Sequence, residues 1–183
     1  IQMGIPLARV ELLDEMQMKG MNIFNPDLNL PEKPHLFLEY HGSGASVQEQ
    51  VELFKGVGEE FGVSDFAWAT KVEDRNRLWA ARHNAYYAGK SLRKGCESVV
   101  TDCCVPVSEL ANCISRTKEL IQDAGMIAPI VGHVGDGNFH LLILFDPKDP
   151  DEFVRAKSLA SEVNRVALSF GGTVTGEHGV GTG

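Results

Sequence analysis

The segment Gly132-His-Val-Gly-Asp-Gly-Asn-Phe-His140 places two imidazoles seven residues apart among three glycines. If it folds as a hairpin, His133 and His140 stand on its two arms and can converge on one point. Imidazole is a good ligand for a borderline divalent cation, and glycine lets a backbone turn tightly around such a site. The plainer alternative is a type I′ turn at Asp136-Gly137 carrying two half-exposed histidines, with Asp136 and Asn138 only shaping the loop. Two ligands do not make a metal site. Gly176-Glu-His-Gly179 offers a third. Glu177 completes a His133, His140, Glu177 set with open positions, the layout of a catalytic rather than a structural metal. His178 then stays free beside the cation as a neutral ring able to take a proton from a hydroxyl. The alternative for this segment is a turn with both side chains solvated. In Leu78-Trp-Ala-Ala-Arg82-His83, Arg82 lies one helical turn from Trp79. It can clamp a carboxylate bidentately or make a structural ion pair. His35, His41 and His83 have no constellation around them, and Cys103-Cys104 reads as core packing.

Positioning these residues takes a hairpin and the elements that brace it. Met126–Val134 and Asn138–Phe145 read as strands around a connection too short for a parallel crossover, so they pair antiparallel. Pro150–Phe170 reads as an amphipathic helix with Phe153, Ala156, Leu159, Ala160, Val163, Val166, Ala167 and Phe170 inward, stopped by Gly171 and Gly172. Ser98–Val105 is apolar and β-branched, a buried strand. Pro106 suits a first helical turn, and Leu110, Cys113, Ile114, Thr117, Leu120 and Ile121 mark the inward face of the helix that follows, up to Gly125. Upstream, His35–Tyr40 reads as a strand. Ser46-Val-Gln-Glu49 reads as a capping box for a helix with Val47, Val51, Phe54 and Phe61 inward, ending at Gly62. Phe66–Ala69 reads as a short strand, Glu73–Ala88 as a helix, and Thr173–Thr175 as a last strand leading into Glu177 and His178. Asn25–Pro34, with three prolines, is a loop and the one place for an internal boundary. Helices and strands alternate, yet antiparallel pairing is forced. The predicted class is α+β: a mostly antiparallel sheet with helices packed on it, ferredoxin-like, of the split-βαβ kind.

Composition narrows the function classes. The 183 residues are 43% hydrophobic and 23% charged, which is globular and excludes disorder and collagen-like structure. The net charge of −8 argues against nucleic-acid binding but leaves room for a small anionic substrate held by a local Arg or metal. Apolar runs such as Leu141–Phe145 fall far short of the roughly 20 residues of a membrane-spanning helix. The four cysteines include no C-x-x-C pair, so neither a disulfide framework nor a zinc ribbon is predicted. A start at Ile1 and an end at Gly183 read as a fragment.

The pairing of Gly-His-Val-Gly-Asp-Gly-Asn-Phe-His with a downstream Gly-Glu-His-Gly-Val-Gly resembles the C-terminal substrate domain of FAD-linked 2-hydroxy-acid dehydrogenases, flavoproteins of the vanillyl-alcohol oxidase type. Ala8–Asp14, Leu78–His83 and Thr101–Val107 extend the resemblance over nearly the whole chain, closest to the D-lactate dehydrogenase branch of animal mitochondria. The resemblance implies oxidation of a D-2-hydroxy acid to a 2-oxo acid with FAD as hydride acceptor. It implies zinc or manganese on His133, His140 and Glu177, His178 as general base, and Arg82 in the substrate pocket. It further implies that FAD is held mainly by a separate domain absent from these residues. Residues 1–183 are then a substrate- and metal-binding fragment, with its own FAD-binding residues unassigned. The implied partners are the hydroxy acid and an electron acceptor for reduced FAD, such as cytochrome c or a flavoprotein; the implied location is the mitochondrion. Relatives acting on 2-hydroxyglutarate carry a Lys where this chain has Val100 and an Asn where it has Leu142. The less polar pair favours a small aliphatic acid such as D-lactate. Glycolate or D-2-hydroxyglutarate oxidation, a non-catalytic binding module and a metallohydrolase are the competing readings.

Overall fold

The computed structural model describes residues 4–179. Its sheet is built from β1 (Leu7–Leu13), β2 (His35–Tyr40), β3 (Glu97–Val100), β4 (Cys103–Cys104), β5 (Ile130–Gly132) and β6 (Asn138–Phe145). The strand order is β2-β1-β5-β6-β3, with β4 also on β6, and every pairing is antiparallel. The helices are α1 (Glu15–Phe24), α2 (Gly44–Glu60), α3 (Val72–His83), α4 (Ala85–Lys90), α5 (Leu110–Ala124) and α6 (Pro150–Ser169). From β3 onward, the chain runs strand, α5, β5, β6, α6 and then Thr173, which bridges Cys104. That path is the split-βαβ arrangement, and β1 and β2 extend its sheet beyond β5.

All eight residues of β6 are buried, because helices cover both of its faces. Phe139, Leu141, Ile143 and Phe145 alternate toward the main core, where Cys113 and Ile121 of α5 and Ala156, Leu159 and Val163 of α6 meet them. Asn138, His140, Leu142 and Leu144 take the opposite face. There α4 lies so close that a Cβ on Gly89 would overlap Leu142, which is why a glycine stands at that point of the helix. His140 therefore sits at the end of an apolar row, where the covering helix stops and the site begins.

β1 obeys the same alternation. Val10 and Leu12 join the main core, while Glu11 and Leu13 face the α1 side. α1 begins at Asp14, whose side chain accepts a hydrogen bond from the Gln17 amide at 2.8 Å. Burial raises the Asp14 carboxyl to about 6, and the cap hydrogen bond offsets only part of that rise. A raised acid pKa means that the folded state holds this proton longer than the unfolded chain. Stability is therefore lost as pH rises from about 4 to about 6, by about 3 kcal/mol in total. Asp14→Asn keeps the cap acceptor without the charge. It is expected to exceed the parent in urea-unfolding stability at pH 7.5, with the difference gone at pH 4.

The other departures from the predicted elements have local causes. Neither β1 nor α1 is predicted from periodicity; β1 carries Glu11 at an inward position, which breaks the apolar alternation. The N-cap of α2 is Ser43, three residues ahead of the expected Ser46, and it accepts from the Ser46 amide. Phe61, expected inward, lies past the helix end and is exposed. The segment 66–69 forms no strand. The single helix expected over 73–88 breaks at Asn84 into α3 and α4. The strand expected over 98–105 breaks at Thr101 and Asp102, whose polar groups turn to the site. Pro106 opens a turn, closed by Glu109 N–H donating to Pro106 O at 2.8 Å, rather than the helix itself. The last strand shrinks to the one bridge at Thr173. Among the described residues, no helix is long and apolar enough to cross a membrane.

Candidate active site

The predicted hairpin forms between β5 and β6. Its connection is not a type I′ turn: Gly137 has φ +79° but Asp136 does not share a positive φ, and the loop closes by Asn138 N–H donating to His133 O at 3.3 Å. Gly137 is needed twice over, since a Cβ there would also strike the Val105 carbonyl. The wide loop leaves His133 at one rim, facing His140 across the arms, with ring centroids 6.0 Å apart.

Glu177 closes the group. Its Oε1 lies 3.0 Å from His140 Nε2 and 3.6 Å from His133 Nε2. The three candidate ligand atoms all lie within 4.8 Å of one another. His178 stands next to them, its Nε2 at 3.1 Å from the same Glu177 oxygen and its ring stacked on His140 with centroids 4.9 Å apart. Four of the residues singled out in the sequence thus meet at one place.

The far nitrogens decide which atoms face the group. His140 Nδ1–H donates to the Thr101 carbonyl at 3.2 Å, and His133 Nδ1–H donates to Glu11 Oε1 at 2.7 Å. Each partner accepts only, so a proton on Nδ1 serves both of these bonds and leaves Nε2 of each ring toward the group, where Glu177 Oε1 approaches. Burial lowers the pKa of His140, against the opposing pull of the Thr101 carbonyl, Asp102 and Glu177. A ring held neutral near pH 7 is the ligating form.

Asp102 holds the Glu177–His178 segment to the sheet. Its Oδ2 accepts from the Glu177 and His178 backbone amides at 2.8 and 2.7 Å, its Oδ1 accepts from Asn138 Nδ2 at 2.9 Å, and its carbonyl accepts from Gly176 N–H at 3.0 Å. Burial pushes the Asp102 carboxyl up, but the His178 amide, Asn138, the Glu177 amide and His140 together hold it below its ordinary value. Gly176 passes so near Asn138 and Asp102 that a Cβ would collide with the Asn138 amide. Asp102→Asn turns an NH2 group toward either Asn138 or the two backbone amides. It is expected to lower stability by about 1–3 kcal/mol and to speed hydrogen exchange at the Glu177 and His178 amides. Unchanged exchange at those two positions would show that the segment is held by other contacts.

Arg82 does not touch the three-ligand group directly. Its Nη2 and Nε donate to Glu11 Oε2 at 2.9 and 3.0 Å, and Glu11 reaches His133 with its other oxygen. Arg82, Trp79, His83, Glu11 and His133 line a cavity of about 650 Å³ that opens beside the histidines. His83, which has no constellation in the sequence, lies on that wall. Glu11, Asp102 and Thr101 are absent from the residues singled out above. Glu11 had one visible signal, a carboxylate at an inward strand position.

The profile of FAD linked oxidases, C-terminal domain, matches residues 1–183. The probable D-lactate dehydrogenase, mitochondrial, of Danio rerio is 48% identical over 183 residues, covering 100% of this chain and 37% of that protein. The D-lactate dehydrogenase (cytochrome), mitochondrial, of Arabidopsis thaliana is 41% identical, covering 98% of this chain and 32% of that protein. The chain thus spans about a third of the length of these relatives. The solved structure of 4-ethylphenol oxidase from Gulosibacter chungangensis, in its isoeugenol complex, superposes with a TM-score of 0.65 at 14% identity, over 95% of this chain and 40% of that one. That likeness shows the fold. With the profile spanning every residue from Ile1 to Gly183, the chain belongs to the FAD linked oxidases, as their C-terminal domain.

Proposed function

We propose that this chain is the substrate- and metal-binding part of an FAD-dependent dehydrogenase that oxidises D-lactate, or a similar small aliphatic D-2-hydroxy acid, to the 2-oxo acid. The observation that carries this reading is the convergence of His133, His140 and Glu177 with His178 beside them. The names of the relatives from Danio rerio and Arabidopsis thaliana support it.

The donor set fits a divalent cation. Two Nε2 lone pairs and one carboxylate oxygen face a common point, the number and kind of ligand that leaves positions open for a substrate on zinc or manganese. His133, His140 and Glu177 would hold the ion, which supplies Lewis acidity that lowers the pKa of a bound hydroxyl. Arg82, with its guanidinium oriented by Glu11, binds the substrate carboxylate. His178, whose ring stands beside the group, is the residue that takes the hydroxyl proton. The C2 hydride would go to FAD, the acceptor that the family implies. Loss of one proton and one hydride turns the hydroxy acid into the 2-oxo acid. Val100 lies opposite Leu142 in the β3–β6 register, with Leu142 packed under α4, and the choice of an aliphatic substrate over a dicarboxylate rests on the relatives' names. The relatives' names also support a mitochondrial location, and that of the Arabidopsis thaliana protein a cytochrome as final electron acceptor.

The test uses the full-length protein. About one zinc or manganese ion per chain is expected, together with anaerobic reduction of the flavin by D-lactate and much slower reduction by D-2-hydroxyglutarate. Absence of the ion overturns the metal assignment. Flavin reduction by the dicarboxylate alone overturns the substrate.

A further inference from the structure

Glu11 is the least expected charged group near the site. It sits on β1, nearly buried, with Arg82 of α3 on one oxygen and His133 of the β5–β6 loop on the other. The three residues come from separate parts of the chain, 71 and 122 positions from Glu11. We propose that Glu11 is a positioning residue that joins metal binding to substrate binding. Its Oε1 fixes His133 with the Nε2 lone pair toward the cation, and its Oε2 fixes the Arg82 guanidinium at the mouth of the substrate cavity. The proposal rests on the metal reading given above.

The chemistry explains why a carboxylate is needed. Both neighbours are donors: His133 through Nδ1–H, and Arg82 through Nε–H and Nη2–H. Only an ionised carboxylate accepts from both at once. An amide has one acceptor atom. In Glu11→Gln the buried guanidinium claims the amide oxygen, so the NH2 turns to His133 Nδ1. The ring then carries its proton on Nε2, the atom that should face the metal. A partner on the far nitrogen of a metal-binding histidine orients the ring and raises its basicity, and its loss weakens metal affinity by about 10–100-fold. The paired charges also show why Arg82 stays in place without substrate: it donates to Glu11 with two of its five N–H groups and keeps the rest for an incoming carboxylate.

The experiment compares the parent, Glu11→Gln, Arg82→Met, the Glu11→Gln/Arg82→Met double variant and His140→Ala as full-length proteins. Affinity for zinc and for manganese is read by competition with a chelating dye. Separately, the long-range nitrogen–proton NMR correlation of ¹⁵N-histidine reads the His133 tautomer in metal-free protein. The expected results are a 10–100-fold weaker affinity in Glu11→Gln, near-parent affinity in Arg82→Met, and a proton moved from Nδ1 to Nε2 in Glu11→Gln. The double variant buries no unpaired charge, so it keeps the fold even if the single variant does not. It is expected to bind metal more tightly than Glu11→Gln and more weakly than the parent, because without the guanidinium the amide oxygen at position 11 is free to accept from His133 Nδ1–H. Parent-like affinity in Glu11→Gln, Nδ1–H retained in Glu11→Gln, or a double variant that binds metal no more tightly than Glu11→Gln overturns the positioning role. If His140→Ala binds metal as tightly as the parent, the three-ligand reading itself falls, and the inference with it.

Discussion

Replacing His140 by alanine in the full-length protein is expected, on the proposed function, to remove the cation and most of the D-lactate oxidation together. His140 brings the shortest contact in the ligand group, 3.0 Å to Glu177 Oε1, and its ring is held by the Thr101 carbonyl. It is also the ligand least able to be replaced by solvent, being buried at the end of the Asn138–Leu144 face of β6. Two remaining ligands bind a divalent ion poorly. Lewis-acid help to a hydroxyl is worth several kcal/mol, so at about 1.4 kcal/mol per decade kcat/KM should fall by roughly 10²–10³-fold or more. Metal content and turnover should fall in step, and added zinc or manganese should not restore either. Circular dichroism of the variant separates this result from unfolding, because the apolar packing of Leu142 and Leu144 along the same row is untouched. A variant that keeps one ion per chain and normal turnover would remove His140 from the ligand set.

Replacing His178 by alanine is expected to spare the metal and lower kcat by about 10²–10⁴-fold, the usual contribution of a positioned general base. The distinction follows from how the segment is held. Asp102 grips His178 by its backbone N–H, not by its ring, so truncating the side chain leaves Glu177 in place. The ring's own contacts are its stacking on His140 and the approach to Glu177 Oε1. Flavin content and metal content should match the parent while the first-order rate of flavin reduction drops, and added imidazole should recover part of it. Loss of metal in this variant would mean that His178 serves as a ligand instead of a base. Unchanged flavin reduction would place the base elsewhere.

Local chemistry accounts for what the sequence predicts well. The amphipathic repeats of α5 and α6 are legible because every third or fourth residue must face one sheet, and the buried sets Leu110, Cys113, Thr117, Ile121 and Ala156, Leu159, Val163, Ala167 follow that period. The β5–β6 hairpin is legible because its connection is too short for any other pairing. The misplaced elements are those whose ends depend on distant partners. Asn84 divides a stretch that periodicity reads as one helix, and Thr101 and Asp102 leave their strand because His140, Glu177 and His178 need their polar groups.

The candidate site divides the same way. By itself the sequence determined which residue types were present and at what spacing: two histidines on a hairpin, a Glu-His pair between glycines, and an Arg on a helix with Trp79. Those types allow metal ligation and proton transfer beside an anionic substrate, and equally turns with solvated side chains and a structural ion pair. Only the tertiary structure decided which nitrogen of each ring faces the group, because Nδ1 is engaged by the Thr101 carbonyl in one ring and the Glu11 carboxylate in the other, residues 39 and 122 positions away. It also decided that Asp102 clamps Glu177 and that Glu11 joins Arg82 to His133. A hydrogen bond across such separations is made when strands and helices pack, and no periodicity in the chain encodes it; the candidate ligand residues stand in the sequence, while their orientation is set by the packing.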